Sequence, residues 1–231
     1  NRRSFHFAND WEYSRWQDKL GHFYANNILA HAFTGGLEAG NVRSDRAHLW
    51  GAIAALAFET YVEIQDGFGA QWGFSPGDAM ANLLGVSYFY AQYRYPYLKN
   101  FLVKLSYYPS DKYLGGGQWK DSFDDDYQPI IIDDYEGQKY WISMRMKNIL
   151  PEAISEYWPS FLNIEVGMGV RDLDGSGGGK NDVYISLDFD AESIPLYGPV
   201  WEFVKSTLNY IKFPMPGIRI NNNAAFFMFL F

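Results

Sequence analysis

Apolar segments with regularly spaced polar residues make up the N-terminal third of the chain. Within three of these segments, polar side chains recur three, four or seven positions apart, which places them on one face of an α-helix. The pattern predicts three helices whose polar faces converge when the helices pack together. The three polar stripes are Asp18, His22 and Asn26; Glu59, Glu63 and Asp66; and Asp78 and Asn82.

Local signals predict where these helices begin and end. The first is expected over residues 17 to 33, ending at Gly35-Gly36, and the second over residues 44 to 66. The third has the clearest start, because Ser75 can cap it and a proline occupies its first position. An acid three residues after the cap also favours the helix dipole, so Asp78 has a capping interpretation beside a functional one.

From residue 138 onwards the apolar period falls to two, which predicts antiparallel strands with one face towards water. Three such strands are clear, a short amphipathic helix follows them, and a last strand is expected at the end of the sequence. Two further strands, at 102–107 and 129–133, bring the expected total to six. The clear strands cover residues 140–146, 162–170 and 183–189, the helix 199–212 and the last strand 217–231.

The last predicted strand is apolar on both faces. Phe227 and Phe229 alternate with Phe226 and Met228, and the sequence ends on Phe231, as closing strands of outer-membrane β-proteins commonly do. Six strands are too few for a complete single-chain pore, so we expect a partial sheet that the helical half, a partner or lipid covers. The expected class is α+β, with an N-terminal three-helix unit and an antiparallel, partly membrane-facing β-sheet. The expected domains are a helical unit (1–100), an acidic glycine-rich connection (101–137) and a β-sheet half with one short helix (138–231).

The composition of the chain limits the classes of molecule that it is expected to bind. The net charge of −8 excludes nucleic acid, because phosphate binding depends on an excess of Lys and Arg. Aromatic residues form 19 % of the chain, which fits either a membrane interface or an aromatic-rich soluble core. The absence of cysteine excludes disulfides, thiolate metal sites and a cysteine nucleophile. No cofactor is predicted.

The polar stripes contain the candidate chemistry. His22 is the one histidine placed beside carboxylates on the helical pattern, and with Asp18, Glu63, Asp66 and Asp78 it forms a candidate catalytic cluster for acid–base work. A hard divalent cation is a second use of such ligands, but the zinc motifs are missing and no metal is predicted. A third interpretation is a structural polar network that fixes helix register. That network would include Lys19, Asn26, Arg46, Glu59, Gln65 and Asn82.

Several polar motifs follow one another in order over residues 5–95. They are Asp18-Lys19-Leu20-Gly21-His22-Phe23, Ser44-Asp45-Arg46, Glu63-Ile64-Gln65-Asp66-Gly67, Gly73-Phe74-Ser75-Pro76-Gly77-Asp78, Asn82 and Gly85. This series resembles the YfiM-like family of predicted envelope lipoproteins and, more distantly, the VanZ-like membrane proteins. The resemblance implies an outer-membrane or periplasmic location and implies no reaction.

Two functions of different classes are therefore expected. The first is a non-catalytic structural or assembly component on the periplasmic side of the outer membrane, with outer-membrane lipid and other outer-membrane proteins as partners. The alternative is an envelope enzyme, a hydrolase or transferase of lipid or cell-wall glycan that uses the cluster around His22.

Overall fold

A computed structural model describes residues 3–70, 72–115, 131–174 and 177–231. The chain divides into two compact units, Asn1–Pro96 and Tyr97–Phe231, which we describe separately. Helices build the first unit and a six-stranded antiparallel sheet builds the second. The predicted α+β class is confirmed.

The helical unit contains α1 (Gln17–Ala39), α2 (Ser44–Asp66) and α3 (Pro76–Arg94). The predicted bounds of α2 and the predicted start of α3 are confirmed. The predicted end of α1 at Gly35-Gly36 is wrong, because the helix continues to Ala39. The chain leaves the helix where Asn41 adopts the left-handed conformation (φ 61°) and Val42 N donates to the Leu37 carbonyl.

Two glycines set how closely the helices pack. A Cβ atom on Gly85 would lie 2.4 Å from the Phe23 carbonyl oxygen, and one on Gly51 would lie 2.2 Å from Thr34 Oγ1. The absence of side chains therefore lets α1 approach both α3 and α2. The small apolar core beside these contacts consists of Ala30, Ala52, Ala55, Val86 and Phe89.

The sheet of the second unit has its strands in sequence order, each antiparallel to the next. A further helix, α4 (Pro199–Leu208), precedes the last two strands and is shorter than predicted. Single-turn helices at Asp111–Leu114, Met146–Ile149 and Glu152–Ser155 lie in the connections. The strands are β1 (Phe101–Tyr107), β2 (Gln138–Met144), β3 (Leu162–Arg171), β4 (Lys180–Phe189), β5 (Met215–Arg219) and β6 (Ala225–Leu230).

Two expectations for the second half need correction. The single last strand is wrong, because Asn222 and Asn223 adopt left-handed conformations (φ 49° and 75°) and turn the chain between β5 and β6. The strand at 129–133 is also wrong for its described part, since Ile131–Asp133 is a turn of 3-10 helix. The strand expected at 102–107 is confirmed as β1, and the acidic run Asp124-Asp125-Asp126 lies outside the described residues.

The apolar face of the sheet is exposed and the polar face is buried, whereas the alternation suggested a polar face towards water. One row crosses all six strands through Val103, Ile142, Val166, Ile185, Ile218 and Phe226. All but Val103 are exposed, with Ile142, Val166 and Ile218 at 41–43 %. On the other face Ser143, Glu165 and Ser186 are paired in register and buried. The apolar face is therefore the exposed one, and we call it the apolar sheet face.

Replacing Gly85 by alanine should destabilise the helical unit, because the new methyl group meets the Phe23 carbonyl. Overpacking of this kind costs about 1–3 kcal/mol. The matched control is Gly36→Ala within α1, where a Cβ meets nothing within 4 Å and should add about 0.5–1 kcal/mol of stability. Denaturant unfolding followed by circular dichroism measures both, and equal effects of the two variants would contradict the close-packing explanation.

Candidate functional site

The three predicted polar stripes meet at one end of the helical unit. Asp18 and His22 lie in the first turns of α1, Glu63 in the last turn of α2, and Asp78 in the first turn of α3. This end of each helix is fixed locally, since the side chain of Ser75 caps α3 by accepting from the Asp78 N–H. Asp78 therefore has both roles that the sequence left open, a position in the cap and a position in the cluster.

Lys19 lies at the centre of the carboxylates. Its Nζ is 2.7 Å from Asp78 Oδ1, 2.8 Å from Asp18 Oδ2 and 3.0 Å from Asp10 Oδ2. Burial alone would lower the pKa of Lys19, but the charges and hydrogen bonds of Asp18 and Asp78 raise it above its ordinary value. Lys19 is thus a permanent cation that compensates the buried carboxylates around it.

His22 lies beside this ion cluster and is partly exposed to solvent. Its side chain is 21 % exposed, and Nδ1 lies 3.1 Å from Asn82 Oδ1, to which it donates. Asn26 Nδ2 donates to the same Asn82 oxygen. The other ring nitrogen, Nε2, lies 3.7 Å from Asp78 Oδ1 and 3.8 Å from Asp18 Oδ1. The two asparagines therefore orient the imidazole so that Nε2 faces the carboxylates.

Burial raises the pKa values of two carboxyl groups next to His22 towards neutral pH. Burial raises the pKa of Asp78 to about 8, helped by the negative charge of Asp18 and opposed by Lys19. Burial also raises the pKa of Glu63 to about 7, opposed by His22, whose Nδ1 lies 3.8 Å from Glu63 Oε1. These carboxyls and the imidazole are close enough to exchange a proton through small movements, which is the requirement for acid–base chemistry.

The remaining predicted residues lie further out or elsewhere. Glu59 and Asp66 are half-buried on α2, burial raises the pKa of both, and His22 acts electrostatically on both. Gln65 is also half-buried. Arg46 does not join the network. It is exposed in the first turn of α2, 17 residues before Glu63, which corresponds to about 26 Å along the helix.

Sequence reasoning missed two parts of the cluster. Asp10 contacts Lys19 and accepts a hydrogen bond from Ser75 Oγ. It precedes the first helix in a segment without periodicity, so no pattern singled it out. Ser75 was predicted only as a cap, yet its backbone N–H also donates to Glu63 Oε2. The cap residue thus connects two of the buried acids.

Three side chains at the same place have the spacing of ligands to a cation. One ligand atom each from Asp18, His22 and Asp78 lies within 4.8 Å of the others. However, the ammonium of Lys19 already contacts both aspartates, including the Asp78 oxygen that faces His22. A metal ion would have to displace this cation, so the donor set favours proton exchange over metal binding.

The β-sheet unit has a charged interior of its own. Lys104 Nζ lies 2.7 Å from Asp188 Oδ2, and Lys212 Nζ lies 2.7 Å from Glu165 Oε1, with all four side chains fully buried. Lys212 Nζ also lies 4.8 Å from the ring centre of Trp141. None of these residues was predicted as a site, because alternation along a strand does not reveal partners on other strands.

Comparison with known proteins gives one family. Residues 7–94, which include all of α1, α2 and α3, match a family model described as predicted periplasmic lipoprotein (DUF2279). This match supports a periplasmic cell-envelope location, and the narrower YfiM-like and VanZ-like resemblances stay predictions. No curated protein and no solved structure matches the chain. None of the helices in the described part of the chain is both long and apolar enough to cross a membrane.

The raised pKa of Asp78 predicts a pH dependence of stability. An acid whose pKa is higher in the folded protein keeps its proton where the unfolded chain has lost it, so stability falls as the pH rises through the folded value. Between pH 6.5 and pH 8, Asp78 should contribute a loss of roughly 1–2 kcal/mol. Denaturant unfolding at the two pH values measures the total change, to which Glu63 and Glu165 also contribute, because burial raises their pKa values to about 7 and about 8.

The variant Asp78→Asn should reduce that loss by the same amount. The control Asp45→Asn removes an exposed acid whose hydrogen bond with Arg43 lowers its pKa to about 2, and it should leave the slope unchanged. A slope that is the same in wild type and Asp78→Asn would show that Asp78 is ionised throughout this range.

Proposed function

We propose that the protein is a structural component of the cell envelope that contacts lipid through its apolar sheet face, on the periplasmic side of the outer membrane. The observation that carries this proposal is the exposed apolar row from Ile142 on β2 to Phe226 on β6, which crosses five of the six strands. Soluble monomers rarely leave contiguous apolar patches of this kind uncovered.

The distribution of charge supports lipid as the covering medium. A strand presents alternate residues to opposite faces, so this sheet could have placed its apolar rows inside and its charges in water. Instead the ion pairs Lys104–Asp188 and Lys212–Glu165 are fully buried, although removing an ion from water costs several kcal/mol. β-Proteins that contact hydrocarbon have this arrangement, with apolar side chains outside and polar side chains inside.

A charge placed on the apolar sheet face tests the proposal. Ile185 lies in the middle of the row, and the variant Ile185→Asp should lose at least about tenfold in partitioning to phosphatidylcholine vesicles, since about 1.4 kcal/mol suffices for that change. Zwitterionic vesicles remove the effect of net charge. The control Asn148→Asp adds the same charge at an exposed position outside the strands. Flotation measures partitioning, and circular dichroism checks that both variants fold.

Two results would overturn this proposal. One is a wild-type protein that stays in buffer as a monodisperse monomer and does not float with vesicles. The other is a wild-type protein whose apolar sheet face is covered by a second copy or another envelope protein, so that Ile185→Asp changes the oligomeric state and leaves vesicle binding unaltered.

A second candidate function is acid–base catalysis on lipid or cell-wall glycan at His22. The observation that favours it is the partly exposed imidazole whose Nε2 faces Asp78 while Asn82 holds Nδ1. In this reaction His22 would accept a proton from an attacking water or hydroxyl group, and protonated Asp78 or Glu63 would supply one to the leaving group.

Incubation of the protein with phospholipid vesicles or isolated cell-wall glycan, with products followed by mass spectrometry, tests this candidate. His22→Gln should lower the rate of product formation about 100-fold or more, because general acid–base groups contribute on that scale, while the melting temperature stays unchanged. The control His48→Gln alters a histidine that lies outside the cluster and stacks on Tyr93. No product from either substrate with wild-type protein, or equal rates in both variants, would reject the catalytic role.

A further inference from the structure

The outer surface of the helical unit has no exposed charge over most of its length. Residues 20–37 of α1, 49–64 of α2 and 76–93 of α3 contain no exposed Asp, Glu, Lys or Arg side chain. The acids within these stretches point inwards, since Glu63 and Asp78 are buried and Glu59 is half-buried. Like the sheet, the helical unit therefore keeps the charged side chains of these stretches away from its exposed surface.

Large apolar and aromatic side chains cover this charge-free surface. On α2, Trp50 is 56 % exposed and Tyr61 60 % exposed, with Ile53 and Phe58 between them. On α3 the neighbouring exposed side chains are Met80, Leu83 and Leu84. We call this surface the helical belt and define it by Trp50, Ile53, Phe58, Tyr61, Leu83 and Leu84.

The two ends of the belt differ chemically. At one end, where α1 ends and α2 begins, the exposed residues are charged, and they include Glu38, Arg43 and Asp45. His48 of α2 stacks on Tyr93 there, so the end of α3 with Arg94 lies at the same level. At the other end, exposed aromatic rings, including Trp11, Trp16, Phe68 and Trp72, surround the helix termini beside the exposed charges of Arg3 and Glu12, whereas Tyr95 is an exposed ring at the charged end. Along α2 the charge-free stretch from residue 49 to residue 64 measures about 22 Å.

We propose that the helical unit lies with its belt among the acyl chains of a lipid bilayer, with the aromatic end and the charged end both at the depth of the lipid headgroups. This inference rests on the proposed function and extends lipid contact from the sheet to the helices. Lipid is favoured over a protein partner because the charge-free stretches occur on all three helices, whereas a protein interface is a local patch with a polar rim. Aromatic rings gathered at one end of an apolar surface are typical of side chains at a membrane interface.

The orientation gives the ion cluster a defined depth. Asp18, Lys19 and Asp78 belong to the first turns of α1 and α3, which lie at the aromatic end. His22 then lies close to the headgroup region, where it is reached from the interface and not from bulk water. A substrate or ligand of this site would accordingly be a molecule that partitions to the interface.

The lack of cysteine in the chain makes site-directed spin labelling a direct test. We compare Ile53→Cys with Arg46→Cys on α2, and Leu84→Cys with Arg94→Cys on α3, in vesicles of phosphatidylethanolamine and phosphatidylglycerol. All four positions are exposed, so the labels should not disturb folding, which circular dichroism checks. The readout is collision of the nitroxide with oxygen, which concentrates in the acyl region, against collision with a water-soluble nickel chelate.

Labels at Ile53 and Leu84 should collide with oxygen several-fold more than with the nickel chelate, and labels at Arg46 and Arg94 should show the reverse. Belt labels that are as accessible to nickel as their controls would overturn the inference, because the belt would then face water. Belt labels shielded from both probes would also overturn it, because protein and not lipid would cover them. A label at Ile185→Cys separates the proposals: oxygen access there with water access at the belt rejects this inference and leaves lipid contact by the sheet standing.

Discussion

The ammonium of Lys19 is the contact on which the helical unit depends. It contacts three carboxylates, from the segment before α1, from α1 itself and from the start of α3. Each of these charges is expensive to bury alone, so the three chain segments are held at the distances that let one ammonium compensate them. Ser75 strengthens the arrangement, since it caps α3, donates to Asp10 and donates through its backbone to Glu63. The packing of these three segments and the shifted pKa values of their side chains therefore have the same cause, which is the burial of charges around Lys19.

Both units follow one rule, since they bury charged side chains and expose large apolar ones, although each also has a small apolar core. The helical unit surrounds Lys19 and its acids with apolar helix faces, and the sheet surrounds two buried ion pairs with apolar rows. Helices and strands meet this rule with different periods, 3.6 and 2, so the common result does not come from a shared local motif. A common surrounding medium explains it more simply than two separate protein interfaces would.

Sequence periodicity was sufficient for some features and insufficient for others, for identifiable physical reasons. The helical stripes gave the right cluster, because residues four apart share a face and buried charges must meet a partner. Alternation along the strands gave the right two sets of residues but the wrong exposure, since period two separates faces without saying which one water reaches. The end of α1 was misplaced because Gly35-Gly36 is a helix end only where the backbone turns left-handed, and that turn occurs at Asn41. Asp10 and the turn at Asn222-Asn223 lie outside any periodic stretch, so only the three-dimensional structure reveals them.

The raised pKa values of Asp78 and Glu63 follow from this inverted arrangement. A proton that binds to Asp78 removes one of the three negative charges that face Lys19. An interior surrounded by apolar helix faces tolerates little net charge, because a low dielectric strengthens every uncompensated interaction. Protonation therefore completes the charge balance that Lys19 begins. The carboxyl group that binds this proton lies beside His22, the imidazole of the cluster, which is partly exposed. Protonation therefore both lowers the cost of burying these acids and leaves them with a proton that they can donate.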